Sequence, residues 1–357
     1  MTTSWHPSGT NPILRGFHPD PSVCRVGEWV YLVTSTFEYL PGLPVHRSRD
    51  LVNWEPVGHV VDRVGMLDYG SAADSGGLYA PTIRHDGQRF YVVCTLVTEG
   101  ERQGNFVTVA EHPWGPWSDP VWWDDTRGID PALFFDGDDA WCLGTRLVDD
   151  PEYPQQTEVW LRRFDKGSLT PVGAETILWN GALRGAIWAE GPHLYRRGDH
   201  VLLIAAEGGT ERHHAVVAAR ADLVTGPYQG NPANPIMTHR HLGRTSHVTN
   251  VGHADLIDLP DGSSWAVMLA TRPVDGADVL GRETFLAPVA WEDGWPVISP
   301  GVGRLEENPP TPEGALPSHD ASFSDDFTGR LHHRWISPRA LPDSFTTTTT
   351  AKGLVFT

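Results

Sequence analysis

Five stretches of this chain repeat one pattern of apolar and polar positions. Each opens on a polar or acidic residue followed by proline or a small residue. An aliphatic run comes next, then a turn of Gly with Asp or Glu, then a second apolar run. The copies are His18-Pro-Asp-Pro-Ser-Val with Trp29-Val-Tyr-Leu-Val; Tyr79-Ala-Pro-Thr-Ile with Phe90-Tyr-Val-Val; Ile129-Asp-Pro-Ala-Leu-Phe-Phe with Ala140-Trp-Cys-Leu; Ala189-Glu-Gly-Pro-His-Leu-Tyr with Val201-Leu-Leu-Ile; and Gly252-His-Ala-Asp-Leu-Ile with Trp265-Ala-Val-Met. The turns between the paired runs hold Gly27-Glu28, Asp86-Gly87, Asp136-Gly137, Gly198-Asp199 and Asp261-Gly262. Gly and Asp between apolar runs mark β-hairpins.

The copies recur about every 50–63 residues, room for four short strands and their turns, which is the size of a propeller blade. Further strand pieces lie between them, such as Val45-His-Arg-Ser and Ala215-Val-Val-Ala-Ala. Turn clusters such as His112-Pro-Trp-Gly-Pro-Trp recur as well. No segment carries a long helical period with caps. The pattern predicts an all-β chain, with residues 1–305 forming a five-bladed β-propeller and the repeats themselves running from about residue 10. Beyond Arg304 the pattern stops. Residues 306–320, with Glu306-Glu-Asn-Pro-Pro-Thr-Pro, read as a linker. Residues 321–357, with Phe323-Ser-Asp-Asp-Phe and Leu331-His-His-Arg-Trp, read as the incomplete beginning of a C-terminal β-sandwich or as a tail packed on the propeller.

Composition narrows the function. A net charge of −18 repels nucleic acid and anionic membranes, so neither is expected as a partner. Trp is abundant at 15 residues, which suits recognition of sugar rings as well as core packing. Cys24, Cys94 and Cys142 are odd in number and lack metal-ligand spacing, which predicts buried free thiols. The start, Met1-Thr-Thr-Ser-Trp-His-Pro, has neither a basic nor an apolar signal region, and no run is long enough for a membrane helix. A cytoplasmic location is the expectation. The oligomeric state stays open, a homo-oligomer included.

Residues at one level of the repeat converge on the axis of a propeller. Aligning the copies puts Asp20, Ala80 beside Tyr79, Asp130, Glu190 and His253 at that level. Three converging carboxylates suit glycoside hydrolysis, which needs one protonated and one ionised carboxyl group, and a third can tune the acid by repulsion. His253 reads as a structural or water-holding channel residue, with a metal contact through water as the alternative. Arg282, in Gly281-Arg-Glu-Thr-Phe, falls near channel height.

These residues resemble glycoside hydrolase family 43, in particular its β-xylosidase and α-L-arabinofuranosidase group. The likeness starts at Asn11-Pro-Ile-Leu-Arg-Gly-Phe-His-Pro-Asp-Pro-Ser and continues through Phe37-Glu-Tyr-Leu-Pro-Gly, Ala80-Pro-Thr-Ile, Gly128-Ile-Asp-Pro-Ala, Trp188-Ala-Glu-Gly-Pro, Gly252-His-Ala-Asp-Leu and Gly281-Arg-Glu-Thr-Phe. The resemblance implies Asp20 as general base, Glu190 as general acid and Asp130 as the residue that tunes and orients the acid. It implies that Phe37, Tyr79, His253 and Arg282 line the sugar pocket, although Tyr79 stands where such xylosidases often carry Trp. It implies inversion, with the acid and base about 6.5–9.5 Å apart. No cofactor is required on this reading, and a structural calcium ion in the channel is allowed. The expected substrate is a β-1,4-xylo-oligosaccharide trimmed from its non-reducing end, with arabinose side chains as the alternative. A non-catalytic carbohydrate-binding propeller is the competing class.

Overall fold

The structure is a computed structural model, and it describes residues 10–356 except 183, 184, 319–321, 330 and 350–352. The reading of Met1–Pro7 as lacking a signal therefore lies outside the described residues. Five antiparallel sheets surround one axis, each built from consecutive strands. Blade 1 runs outward from Ser22–Val26 through Trp29–Val33 and Gly42–Ser48 to Glu55–Val61. Blade 2 starts at Thr82–His85 and continues through Phe90–Val97, Gly104–Ala110 and Val121–Trp122. Blade 3 comprises Ile129–Asp136, Asp139–Leu147, Thr157–Asp165 and Thr170–Trp179. Blade 4 comprises Glu190–Arg197, His200–Glu207, Ala215–Ala221 and Gln229–Gly230, and blade 5 comprises Thr249–Asp258, Ser264–Thr271, Arg282–Glu292 and Trp295–Ile298. The five predicted hairpins are the first two strands of the five blades.

The apolar second runs have a simple cause. Successive side chains of a strand face opposite ways, and a blade is covered on both faces by its neighbours. Tyr31 and Val33 pack with Ile83, Val92 and Cys94 of blade 2. Val30 and Leu32, one residue out of step, pack with Ile257, Trp265 and Val267 of blade 5. The same division repeats at every junction: Tyr91 and Val93 meet blade 3, Trp141 and Leu143 meet blade 4, and Leu202 and Ile204 meet blade 5. Each junction thus has its own apolar core, and both strand faces must be apolar to supply two of them. Cys24, Cys94 and Cys142 lie buried in these cores as free thiols.

No blade mixes strands from the two ends of the chain. The ring closes between blades 5 and 1 through a bridge of Leu14 with Thr284. Fully buried Asn11 reinforces it: Nδ2 donates to the carbonyls of Leu286 and Glu306 at 2.8 and 2.9 Å, and Oδ1 accepts from Leu286 N at 2.8 Å.

The segment beyond residue 305 packs on the propeller. Ser337–Pro338 pairs with Tyr39–Leu40. Arg339 donates to the Ala72 carbonyl at 2.6 Å and pairs with Asp74. A separate hairpin joins Thr346–Thr349 to Gly353–Phe356. Among the described residues of this segment the β structure is this edge pairing and this hairpin, with no second sheet layer.

Candidate active site

Each inner strand meets the channel through one extra residue. In blade 3, Ile129 pairs with Thr145 and Ala132 with Leu143, which leaves Asp130 as the bulge. In blade 5, His253 sits between Gly252, paired with Leu269, and Ala254, paired with Met268. In blade 1, Asp20 lies between Pro19, whose carbonyl accepts from Ser35 N, and Ser22, paired with Val33. The backbone is left-handed at each: φ is 54° at Asp20, 55° at Asp130 and 48° at His253.

The fourth blade corrects the sequence alignment by one residue. Glu190 pairs with Ala206 and His193 with Ile204, so the bulge is Gly191, with φ 56°. Gly191 therefore holds the level of Asp20, Asp130 and His253. Glu190 holds that of Ile129 and Gly252 and, in blade 2, of Tyr79. Because neighbours on a strand leave it on opposite sides, Glu190 and Asp130 leave their strands in different senses. Glycine is also required at 191 by space, since a Cβ there would lie 2.7 Å from the His253 ring.

The seven residues singled out in the sequence converge. Arg282 Nη1 donates to Asp20 Oδ1 at 3.2 Å, and its guanidinium lies 4.9 Å over the Phe37 ring. The Phe37 and Tyr79 ring centres are 5.3 Å apart. His253 Nδ1 is 3.9 Å from Asp20 Oδ1. Gly191 N donates to Asp130 Oδ2 at 2.9 Å. Asp20, Asp130 and Glu190 are all buried and lie within electrostatic reach of one another. Phe37 owes its place to a close backbone approach: it bridges Leu78, and a Cβ on Gly77 would lie 2.1 Å from the Phe37 carbonyl oxygen.

The three carboxyls are driven apart electrically. Burial pushes Asp20 up, but Arg282, His253 and the donating Ser35 hydroxyl outweigh it and hold Asp20 below its ordinary value. Burial, then repulsion from Asp130 and Asp20, pushes Glu190 well above the usual carboxylate range. Asp130 sits between, raised to about 6, chiefly by burial and partly by Asp20, with His253 and the Gly191 N–H opposing. The site therefore opposes one carboxyl biased toward its ionised form with one biased toward its protonated form, the pairing that acid–base cleavage of a glycosidic bond uses.

Ser35, Gly191 and His214 belong to this site and were not singled out in the sequence. His214 is fully buried, donates from Nδ1 to the Asn250 carbonyl at 3.1 Å and lies against the Cα of Gly252. Only the strand register could have found Ser35, opposite Pro19. A cavity of about 810 Å³ lies elsewhere, between blade 1 and the C-terminal segment, with Trp29, His46, His59 and Arg334 in its wall. None of the three carboxylates lines it.

Comparison with known proteins agrees with the fold. The family model of Glycosyl hydrolases family 43 matches residues 9–296. A protein named xylosidase/arabinosidase from Butyrivibrio fibrisolvens is 48% identical over 302 residues, which are 83% of this chain and 57% of that protein. A non-reducing end alpha-L-arabinofuranosidase from Bacteroides ovatus is 42% identical over 332 residues, covering 89% of this chain and 58% of its own length. Among solved structures, a xyloglucan PUL GH43B protein of Bacteroides ovatus superposes with a TM-score of 0.84 at 40% identity, covering 96% of this chain and 67% of that one. A GH43_12 protein retrieved from a capybara gut metagenome gives 0.90 at 33% identity, covering 97% and 66%. The chain thus spans little more than half the length of the curated relatives it matches.

Proposed function

The chain belongs to glycosyl hydrolases family 43, and from that premise we propose that it is an inverting exo-glycosidase removing xylose from the non-reducing end of β-1,4-xylo-oligosaccharides. The observation that carries this is the opposed state of two buried carboxyls, Asp20 held low and Glu190 held high. Ionised Asp20 takes a proton from a water whose oxygen attacks the anomeric carbon. The bond from that carbon to the leaving oxygen breaks, and Glu190 delivers its proton to that oxygen. Asp130 raises the affinity of Glu190 for its proton, and Arg282 holds Asp20 ionised while facing the pocket beside Phe37 and Tyr79.

A second reading, cleavage of α-L-arabinofuranosyl groups, is favoured by the printed names of the two relatives described above. The test compares an aryl β-xylopyranoside with an aryl α-arabinofuranoside, using the chain as given and Glu190→Ala. Loss of the acid should slow substrates with poor leaving groups about 10²–10⁴-fold and activated ones far less. Proton NMR of the first-formed sugar should show the inverted anomer. No turnover of either substrate by folded protein would overturn the reading.

A further inference from the structure

Below the carboxylates the inner strands run on in matching register, so equivalent residues of the five blades fall into levels around the axis. The level after the bulges holds Ser22, Thr82, Ala132, His193 and Asp255. The next holds Cys24, Arg84, Phe134, Tyr195 and Ile257. Arg84 reaches up from this lower level. Its Nη1 donates to Asp255 Oδ2 at 2.9 Å, and to Ser22 Oγ and the Val23 carbonyl at 3.1 Å. Its Nη2 donates to Asp255 Oδ1 at 3.2 Å and to His193 Nδ1 at 3.1 Å. Asp255, fully buried, also accepts from Ser22 Oγ, Val23 N and Tyr195 Oη. One guanidinium therefore links blades 1, 2, 4 and 5 at the axis.

This arrangement decides what the channel can bind. A guanidinium only donates, so His193 Nδ1 is the acceptor, and the neutral ring carries its hydrogen on Nε2. A ring nitrogen bearing hydrogen has no lone pair for a metal ion. That Nε2 has no hydrogen-bond partner among the described residues, and Asp255 Oδ2 is 4.0 Å away. The one carboxylate of this level is already saturated with donors. Among the described residues no three His, Cys, Asp or Glu side chains come together as a metal ligand set. The donor set of this level does not fit calcium, which asks for six to eight oxygen ligands.

We propose that, one level below His253, the propeller axis is held by its own cation, Arg84, rather than by a metal ion, and that the Arg84–Asp255 pair is the charged tie holding the inner strands together. The unpartnered His193 N–H is then the place for an ordered water, not a metal ligand. The groups facing Asp255 are Arg84 from blade 2, Ser22 and Cys24 from blade 1, and His193 and Tyr195 from blade 4, with His253 on its own strand.

The test reads metal binding and stability, independently of any substrate. Calorimetric titration of His253→Ala with calcium chloride should give no saturable heat, and EDTA should leave its thermal midpoint in place. Arg84→Met should lower the midpoint by several degrees at pH 7. The deficit should shrink as the pH falls toward 4, because an unpaired buried Asp255 is relieved by taking up a proton. Arg84→Lys, which keeps the charge, should retain most of the wild-type pH dependence. If Arg84→Met does not fold, the double variant Arg84→Met/Asp255→Leu, with neither charge, should fold and recover most of the stability. Saturable calcium binding that raises the midpoint and persists in His253→Ala would overturn the proposal. So would an Arg84→Met midpoint equal to wild type, a deficit that does not shrink with acid, or a double variant no better than the single.

Discussion

Gly191 shows how closely the site is fitted. Its left-handed backbone and the His253 ring at 2.7 Å from any Cβ leave no room for a side chain, while its N–H holds Asp130. Gly191→Ala should displace His253 and loosen Asp130, lowering kcat at least tenfold, with the circular dichroism of the fold kept. An unchanged kcat would show that His253 can move without consequence. Glu190 and Asp130 carry the opposite liability, because folding raises both pKa values. A carboxyl whose pKa is raised by folding weakens the native state wherever the unfolded chain would already be ionised. Glu190→Gln should therefore raise the thermal midpoint at pH 7 while removing acid catalysis, and the alkaline fall of the pH–activity curve should go with it. A lower midpoint for Glu190→Gln would mean that the carboxyl makes a stabilising bond. Asp20 and Asp130 were legible because they recur at a fixed point of the repeat, and Glu190 because it stands one residue from it. The prolines carry the offset, since aligning Pro192 with Pro21 and Pro131 sets Gly191 opposite Asp20 and Asp130. The hydrogen-bond ladder shows the same register.

At the scale of elements, the hairpins were legible because Gly/Asp turns and doubly buried strands leave strong marks. The C-terminal segment was less so. Its Thr-rich run has strand character, yet strand pattern alone does not tell a new sheet from an added edge. In the structure Ser337–Pro338 joins the edge at Tyr39–Leu40, two residues after Phe37 of the pocket. Arg339 anchors that edge through the Ala72 carbonyl and Asp74, and its N–H donates to the Glu38 carbonyl at 2.7 Å. Arg339→Ala should free this element and speed limited proteolysis between residues 306 and 336 by several-fold, with little change in the midpoint of the blades. Equal cleavage rates would show that the edge pairing holds without the arginine.

At the scale of the whole molecule, five junction cores of similar make form a ring, and the junction of blades 5 and 1 joins the two ends of the propeller. Asn11 makes three bonds across the junction of blades 5 and 1. Asn11→Ala leaves buried backbone groups unpaired and should cost about 1–3 kcal/mol for each unsatisfied group, read as a lower urea midpoint. A midpoint within error of wild type would mean that the junction closes without Asn11. Stability should also depend on acid in a defined way. Burial opposes ionisation of Asp255, but Arg84, His193 and its hydrogen bonds hold its pKa far below the unfolded value. Its contribution is complete above roughly pH 4, the unfolded carboxylate value, and is lost as the pH falls below it.

The junction has one more consequence. Asp20 leads into blade 1 and Arg282 stands on blade 5, so the ion pair that holds Asp20 below its ordinary pKa spans the junction where the two ends of the propeller meet. On the proposed mechanism, the charge on Asp20 and the closure of the ring rest on the same junction. Parting that junction would take Arg282 away from Asp20 while the strand pairing inside each blade stayed in place. The molecule would fall silent while still looking folded.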